Sequence, residues 1–355
     1  MSETGKITAA FVDVSAKALA HQIVQLQRTK PATASEIAIR ESAEFLGETE
    51  LRLRYLAEAL AFEAPGLFEA HVEWTRATHA VRGVPEAVLL QNLNCMREIL
   101  GEELPVAAAA AARGLMLSLE SARQPVADMS HSPLLSSTGA KLPHVDLARR
   151  FLLALLEGRR IDALALVSNA FDHGVSVSEL QMHVIANSQS EVGRMWQAGE
   201  IHAGEEHLGS RIVEEALTLL RSRLPRKPAK GRSILCASVQ GNLHDIGARL
   251  LANQFELEGW TAHFLGANVP TPDLVQSIED FDVDVLALSV TLGLSARSTA
   301  DLAARVRSLP GKRVPILVGG RLFDVVPNLW KAVGADAYAT DPEEAVRTVE
   351  RMMSA

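Results

Sequence analysis

The amino-acid sequence predicts a multidomain protein in which all-helical segments precede a doubly wound α/β domain. Through most of residues 12–224, apolar residues recur at steps of three and four, the period of an amphipathic helix. Beyond residue 232, short apolar runs alternate with amphipathic helical segments. Such alternation is typical of a parallel sheet covered by helices on both faces. With 355 residues, 48% of them apolar, the chain can fill more than one core.

The helical part divides into two predicted domains. Residues 1–125 contain about five helical segments, and residues 144–225 contain about four. Between them, residues 126–143 combine Pro, Ser, Thr and Gly without an apolar period, which predicts an exposed linker. The α/β domain is predicted at residues 232–355.

Composition narrows the range of partners and compartments. The 35 basic residues are outnumbered by 43 acidic ones, so there is no global positive field to attract nucleic acid. Only two cysteines occur, Cys95 and Cys236, without the spacing of a zinc site or a disulfide framework, which fits a reducing cytoplasm. No segment is expected to act as a signal peptide or to reach the roughly 20 apolar residues that span a bilayer. We expect neither a nucleic-acid partner nor a membrane partner.

Three strand ends in the α/β domain contain unusual residues. Because ligands of such sheets bind at the carboxyl ends of the strands, chemistry is expected in the loops there. The first loop contains His244, whose neutral imidazole can ligate a metal, although a lone loop histidine can equally cap a helix or simply be exposed. The other two loops supply hydroxyl groups and backbone without side chains, suited to a closely bound polar ligand, at Ser289, Thr291, Gly319 and Gly320.

Together these loops resemble the motif set of cobalamin-binding domains. Asn242, His244 and Gly247 occupy the positions of their Asp-x-His-x-x-Gly motif, and the Ser-x-Thr and Gly-Gly pairs follow in order. The resemblance implies a Rossmann-like fold in which His244 replaces cobalamin's own dimethylbenzimidazole as the axial ligand to cobalt, while the nucleotide tail inserts beside the sheet. The further cobalamin contacts that it implies are Asn242, Asp245, Ile246, Gly247, Ser289, Thr291, Gly319 and Gly320.

One position departs from that motif. Asn242 stands where the family has aspartate, so the group beside the imidazole is a neutral amide. An amide can orient the ring but cannot take up a proton. In methyl-transferring members of the family the carboxylate is thought to help the ligand change protonation as cobalt changes oxidation state, so the asparagine argues against that cycle.

The four-helix segment resembles the cap that covers the reactive face of cobalamin. Its Trp196, followed by Glu206 and His207 in a Trp-x9-Glu-His pattern, is similar to the cap of light-sensing proteins that hold adenosylcobalamin, where these residues form the adenosyl pocket. Alternatively, Trp196 is a core anchor and Glu206–His207 serve to cap a helix. Those sensors have a second histidine directly after the tryptophan, where this chain has Gln197. The upper cobalt ligand after illumination therefore stays open between water, hydroxide, His202 and His207.

The N-terminal domain resembles globin-like helical sensor domains. In combination with a cobalamin domain, it resembles the photocobilins, which pair cobalamin with the linear tetrapyrrole biliverdin. The residues that would serve a bilin, by binding its propionates, its pyrrole nitrogens or a thioether, are His71, Arg76, His79, Arg82, Arg97 and Cys95. Alternatively, the charged residues form a solvated helix face and Cys95 is a small core residue. Neither clustered Arg and Lys nor a helix-turn-helix pattern indicates DNA binding in residues 1–125.

These features favour a cytoplasmic light sensor that is not itself an enzyme. Photolysis of the cobalt–carbon bond of adenosylcobalamin would remove the group that fills the cap pocket, shift the cap, and change the association of a homo-oligomer or of an unidentified signalling partner. The alternative is a corrinoid carrier protein of a methyltransferase system, for which the last two domains would suffice. A mutase-type subunit ranks last because the helical front cannot supply a substrate barrel.

Overall fold

The computed structural model describes residues 3–106, 112, 134, 142–224, 227–311 and 313–354. It confirms the predicted fold class, a helical N-terminal part followed by a parallel Rossmann-like α/β domain. The linker predicted at residues 126–143 lies outside the described residues, apart from Leu134 and residues 142–143.

The described part of the front domain is helical throughout. Its helices are α1 (Glu3–Arg28), α2 (Ala34–Glu41), α3 (Ala43–Phe62), α4 (Pro65–Val81) and α5 (Glu86–Glu103). A capping box between Thr33 and Glu36 starts α2, the Ser42 hydroxyl caps α3, and Pro65 opens α4, where its missing N–H is not needed. Helix α1 packs along α3 through buried residues spaced at three and four positions.

Helix α1 corrects one prediction from the sequence. It is long and apolar enough, by length and composition, to cross a membrane. In the fold, however, nine of its residues are buried, among them Val12, Ala16, Leu19 and Ile23, and they join the apolar core formed with α3. A core helix passes the same length and composition test, and this packing is what a core helix shows.

The cap forms a second helical unit. Its helices are α6 (Val145–Leu156), α7 (Arg160–Asp172), a continuous run made of α8 (Val177–Glu179), a π-helical segment (Leu180–Ala186) and α9 (Asn187–Gln197), and α10 (Ala203–Arg221). Capping boxes begin α8 at Ser176 and α10 at His202. The cap core is centred on side chains such as Phe151 and Leu180, and Leu250 of the α/β domain packs into it.

The α/β domain is a five-stranded parallel sheet in the order β2-β1-β3-β4-β5. Its strands are β1 (Ser233–Val239), β2 (Thr261–Val269), β3 (Val285–Ser289), β4 (Ile316–Gly319) and β5 (Ala337–Ala339). Its α-helices are α11 (Ile246–Leu257), α12 (Thr271–Asp280), α13 (Ala296–Arg307), α14 (Arg321–Val325), α15 (Leu329–Ala332) and α16 (Pro342–Ser354), with a 3₁₀ turn at Gly293–Ser295. Strands β1 and β3 lie next to each other at the centre, so their following loops meet at one edge.

The front domain and the α/β domain share one apolar core. A single cluster of buried side chains contains Leu53 and Leu56 of α3 together with Leu286 and Leu288 of β3. The cap packs instead on α11. The sheet therefore has helical units on either side of the edge where its functional loops lie.

Candidate cofactor site

The loop between β1 and α11 holds His244 through one buried amide. The Oδ1 atom of Asn242, which is fully buried, accepts a hydrogen bond from the His244 backbone N–H at 3.2 Å and lies 3.1 Å from its Nδ1 atom. The amide nitrogen of Asn242 donates to the carbonyl oxygen of Ser289, at the end of β3, over 3.0 Å. Asn242 thus ties the histidine to the neighbouring strand.

This relay fixes the tautomer of the imidazole. Because the Asn242 amide nitrogen faces a carbonyl oxygen, its Oδ1 atom must face His244 and can only accept. The His244 Nδ1 atom must therefore carry the proton and donate it. The lone pair is left on Nε2, which points away from the amide, and this is the form of histidine that ligates a metal.

The electrostatics of His244 also favour the neutral ring. Desolvation by the surrounding protein atoms lowers the pKa of His244, although its ring is still reached from the solvent. The carboxylates of Glu206 and Asp245 oppose that shift. Glu206 of the cap thus acts electrostatically on His244 of the α/β domain, and the space between these two side chains is called the groove below.

Two residues that the sequence analysis missed hold the loop in place. The Ser238 hydroxyl donates to the His244 carbonyl oxygen at 2.7 Å and lies 3.2 Å from the carbonyl oxygen of Ser289. The Asn268 side chain accepts from the Gly241 N–H at 2.8 Å. The only sequence signal for Ser238 is a hydroxyl group inside the apolar run of β1. Asn268, whose backbone has a positive φ of 53°, has no comparable signal in the sequence.

The motif glycines have reasons within the protein itself. A Cβ on Gly247 would lie 2.6 Å from the Ser289 hydroxyl, so glycine lets α11 begin against the end of β3. Gly320 has φ +96°, and a Cβ there would lie 2.6 Å from the carbonyl oxygen of Val290, while one on Gly319 would meet the carbonyl oxygen of Ala339. Close backbone packing thus accounts for the Gly319–Gly320 pair, which the sequence analysis had assigned to the nucleotide tail.

The remaining predicted contacts of this loop lie at the same edge. Asp245 is the residue before α11, and Ile246 is its first residue. Thr291 is half-buried just after β3, beside the largely buried Ser289. The structure therefore brings together all the α/β-domain residues that the motif resemblance implied.

The predicted cap residues Trp196, Glu206 and His207 are all at least partly exposed, and neither of the two alternative roles fits them. Trp196 is 38% exposed at the end of α9, which is not the burial of a core anchor. Helix α10 is capped by His202, which forms a capping box with Glu205, so Glu206 and His207 are not its caps. The Glu206 carboxylate instead accepts from the Ser210 hydroxyl at 2.7 Å and contacts His207 Nδ1 at 2.5 Å.

The predicted bilin residues do not form one site. His71 and His79, with Glu48, line a cavity of about 20 Å³, which has room for one water molecule and none for a tetrapyrrole. His79 Nε2 lies 2.9 Å from the Glu48 carboxylate. Arg76 pairs with Glu86 at 3.0 Å, and Arg82 lies 3.8 Å from Glu44. The cationic side chains thus face glutamates of their own domain.

Cys95 lies in the core of the front domain, as the alternative to a thioether-forming cysteine predicted. Its side chain is 1% exposed in the apolar core, where burial raises the pKa of the thiol and keeps it protonated. Arg97 donates to Asn94 on its own helix at 2.9 Å. A thioether to Cys95 would require this part of the core to open.

Among the described residues, no group of three or more His, Cys, Asp or Glu side chains could hold a metal ion by itself. His244 can offer a single nitrogen, which suits a metal that arrives with its other ligands already in place, as cobalt does in a corrin ring. A parallel α/β domain with such a histidine at its edge, facing a four-helix cap, defines the class of cobalamin-binding proteins.

Comparison with known families gives the same result. Residues 232–347 match a family described as B12 binding domain, and residues 147–221 match a second family with the same description. The α/β domain and the cap are therefore the two parts of a B12-binding unit. Both matches support the cobalamin-binding family that the motifs of this chain predicted.

Two curated relatives and one solved structure each cover about half of this chain or slightly more. Dimethylamine corrinoid protein 3 of Methanosarcina acetivorans is 22% identical over 172 residues, 48% of this chain and 79% of the relative. Dimethylamine corrinoid protein of Methanosarcina barkeri is 22% identical over 206 residues, 57% of this chain and 94% of the relative. The Methanosarcina barkeri monomethylamine corrinoid protein superposes with a TM-score of 0.52 at 21% identity, over 59% of this chain and 99% of that one.

These relatives bear on two predictions. They are described as corrinoid proteins and not as methyltransferases, which agrees with the prediction that this chain is not an enzyme. They do not support the light-sensing subtype, the adenosyl form of the cofactor or a bilin.

Proposed function

We propose that this chain is a corrinoid carrier protein that holds cobalamin between its α/β domain and its cap and presents a methyl group to a partner methyltransferase. The observation on which this rests is the relay from Ser289 through Asn242 to His244, which leaves the His244 Nε2 lone pair free for cobalt. When bound, cobalamin would supply a cobalt–carbon bond that can be formed and broken.

Each part of the site has a defined task in this proposal. His244 binds the metal, and Asn242 keeps its Nδ1 atom protonated and its ring oriented. Ser289 and Thr291 offer hydroxyl groups at the sheet edge for the polar tail of the cofactor. Glu206 and Trp196 belong to the cap and cover the side of the groove opposite the α/β domain.

The corrinoid relatives support the carrier because 79% and 94% of their own lengths align with this chain. Their names supply the substrate class for the proposal, the methyl group of a methylated amine. The relatives match about half of this chain, so the front domain adds a task that the carrier proposal does not explain.

A light sensor is the second candidate, and two observations favour it. Trp196 is exposed toward the groove and not packed into the cap core, which suits a pocket for a bulky adenosyl group. Asn242 cannot exchange a proton with the imidazole, a step that is thought to accompany the redox cycle of methyl carriers. In this candidate, loss of the adenosyl group shifts the cap and changes association with a second copy or a partner.

One experiment separates the two candidates. The full chain is loaded in the dark with adenosylcobalamin or with methylcobalamin. Its absorption spectrum and its size-exclusion elution are then recorded before and after green light. In a second arm, the methyl-loaded protein is mixed with a thiol and a methyltransferase that activates thiols as methyl acceptors. Methyl transfer without any change in elution supports the carrier, whereas a light-dependent change in elution without transfer contradicts it and supports the sensor.

A bilin remains a separate proposal for the front domain. Its test is the visible spectrum of protein produced with biliverdin present, compared with that of a His71→Ala variant. A red-absorbing band that co-elutes with the wild-type protein supports it, and colourless protein contradicts it.

The reducing cytoplasm stays the proposed location, since Cys95 and Cys236 are both buried free thiols.

A further inference from the structure

Helix α4 of the front domain contacts both walls of the cobalamin groove with one face. Leu67 reaches the loop after β3, where a Cβ on Gly293 would lie 3.3 Å from its Cδ2 atom. Trp74 lies beside the cap residue Trp196, with 6.5 Å between ring centroids. Val81 reaches Gly199, where a Cβ would lie 3.4 Å from its Cγ1 atom. Leu67, Trp74 and Val81 are seven residues apart, about two helical turns, so they share one face of α4.

The N-terminal end of α4 contacts the α/β domain at Gly293, and the neighbouring helix α3 is anchored at the same place. The ring of Tyr55, on α3, lies so close to Gly293 that a Cβ there would be 2.8 Å from its Cε1 atom. Two further contacts anchor α3. The buried carboxylate of Glu58 accepts from Arg297 Nε at 2.8 Å and from the Arg297 backbone N–H at 3.1 Å. The front domain is therefore attached at the very loop that follows β3.

A row of aromatic rings connects this anchor to the cap. Tyr55 stacks on His71 with ring centroids 4.0 Å apart and planes at 5°. His71 is followed by Trp74 at 6.2 Å, and Trp74 by Trp196 at 6.5 Å. Rings at these separations attract one another and restrict one another's rotamers. Trp196 thus ends a supported row that begins at the α/β domain.

This arrangement bears on access to the upper face of the cofactor. In the proposed site the cap covers that face, so a ligand or partner reaches it when the cap corner at residues 196–199 moves away from the α/β domain. That movement separates Trp74 from Trp196 and Val81 from Gly199. The contacts that α4 makes with the corner oppose the movement, while the anchor at Gly293 and Arg297 keeps α4 in place.

We infer that α4 is a third wall of the cobalamin site, and that Trp74 is a positioning residue for Trp196 that limits how fast ligands reach the upper face. The inference rests on the proposed cobalamin site, but it holds for a methyl carrier and for a light sensor alike. It gives the front domain a role in the cofactor chemistry.

The test measures ligand exchange on the loaded full chain. Protein with bound hydroxocobalamin is mixed with azide, and substitution at cobalt is followed by its absorption change in a stopped-flow instrument. Trp74→Ala is expected to accelerate substitution about fivefold, the factor that an aromatic pair of this kind contributes. Trp74→Phe keeps a ring and is expected to retain most of the slow rate. Glu73→Ala, on the exposed side of the same helix, is the matched control and should leave the rate unchanged.

A second variant and a second readout keep the inference open to refutation. Val81 is half exposed, so Val81→Asp is expected to fold and to loosen the corner at Gly199. In the apo protein, Trp74→Ala should raise hydrogen–deuterium exchange at residues 196–203 and not at residues 160–172. Wild-type azide rates in both Trp74→Ala and Val81→Asp, with unchanged exchange at the corner, would overturn the inference. Failure of the wild-type protein to take up any corrinoid would instead overturn the cobalamin site.

Discussion

The loop around His244 and the core of the front domain each contain fully buried polar side chains, and two of these, Asn242 and Arg52, differ in how completely their polar atoms are hydrogen-bonded. In the loop, the fully buried Asn242 uses both its amide oxygen and its amide nitrogen in hydrogen bonds. In the front domain, Arg52 is fully buried, and within the described residues its Nε and Nη2 atoms have no hydrogen-bond partner. The Nε2 atom of His71 is also buried without a hydrogen-bond partner among the described residues. Satisfied networks hold one geometry, whereas unpartnered buried groups lower stability. We therefore expect changes in the loop to alter cofactor binding and changes in the front domain to alter stability.

The largest effect is expected from His244→Ala. It removes the one nitrogen that the site offers to cobalt, so cobalamin affinity should fall by more than about 100-fold, beyond what loss of a supporting residue costs. Any pigment that remains bound should show the spectrum of base-on cobalamin. Titration of apo protein followed by absorption measures both. The matched control is His173→Ala, an exposed cap histidine whose Nδ1 atom contacts the Asn169 carbonyl oxygen, and it should bind as the wild type does.

Asn242→Ala is expected to weaken cobalamin binding about 10- to 100-fold while leaving the fold intact. The imidazole then loses the acceptor that keeps Nδ1 protonated and Nε2 free. Asn242→Asp keeps an acceptor for His244, but its second carboxylate oxygen faces the carbonyl oxygen of Ser289 and repels it. In the wild type, the Asn242 amide nitrogen donates to that carbonyl oxygen over 3.0 Å. Its affinity should lie between those of the wild type and the alanine variant. Equal affinities for all three proteins would show that the relay does not support the ligand.

Removing the contact between Glu58 and Arg297 should lower the stability of the protein and leave its cobalamin affinity unchanged. Arg297→Ala removes the guanidinium from the buried Glu58 carboxylate and leaves it only the backbone N–H of residue 297. The free energy of unfolding should fall by about 2 kcal/mol, since the guanidinium is only partly buried. Arg305→Ala on the same helix breaks an exposed pair with Asp301 and should cost at most about 0.5 kcal/mol. Urea unfolding of the apo proteins measures both. Equal losses in the two variants would contradict a buried anchor.

A smaller effect should appear in the pH dependence of stability. Burial lowers the pKa of His71 to about 3 from an ordinary value of 6.5. Between these values the folded protein binds fewer protons than the unfolded chain, so stability is full above pH 6.5 and falls as the pH drops toward 3. His71→Phe keeps the stack on Tyr55 and should lose less of its urea midpoint between pH 7.5 and pH 5 than the wild type does.

Glu58 provides the opposite sign within the same domain. Burial raises the pKa of Glu58 from 4.5 to about 7, against the opposing effect of Arg297. Its contribution to stability is therefore full below pH 4.5 and is lost as the pH rises through 7. Glu58→Gln should remove that loss, so its urea midpoint should fall less than that of the wild type as the pH rises from 5 to 7.5. If His71→Phe and Glu58→Gln altered the pH profile in the same direction, the burial of one of the two groups would be wrongly described.

The same two regions show what the sequence can and cannot predict. The α/β domain was predictable because β1 and β3 are continuous apolar runs, and because the residues of the loop near His244 are close in sequence. The relay through Asn242 and Ser289 joins residues 47 positions apart, and it could be anticipated only because strand ends of a parallel sheet meet at one edge.

The front domain was predictable as helices but not as a wall of the site. Its contacts with the groove, from Glu58 to Arg297 and from Trp74 to Trp196, join residues more than 100 positions apart, and no local period encodes them. The bilin residues stay a prediction. Arg76 and Arg82 pair with Glu86 and Glu44, and sequence patterns cannot reveal such pairs.

The most direct test of the account is the electron paramagnetic resonance spectrum of the cobalt(II) form of cobalamin bound to protein that is uniformly labelled with nitrogen-15. The unpaired electron couples to the axial nitrogen below cobalt, and the splitting reports the isotope of that atom. If His244 is the ligand, the labelled protein gives doublets, and unlabelled protein gives triplets. Triplets from the labelled protein would show that the cofactor has kept its own base and that His244 does not bind cobalt.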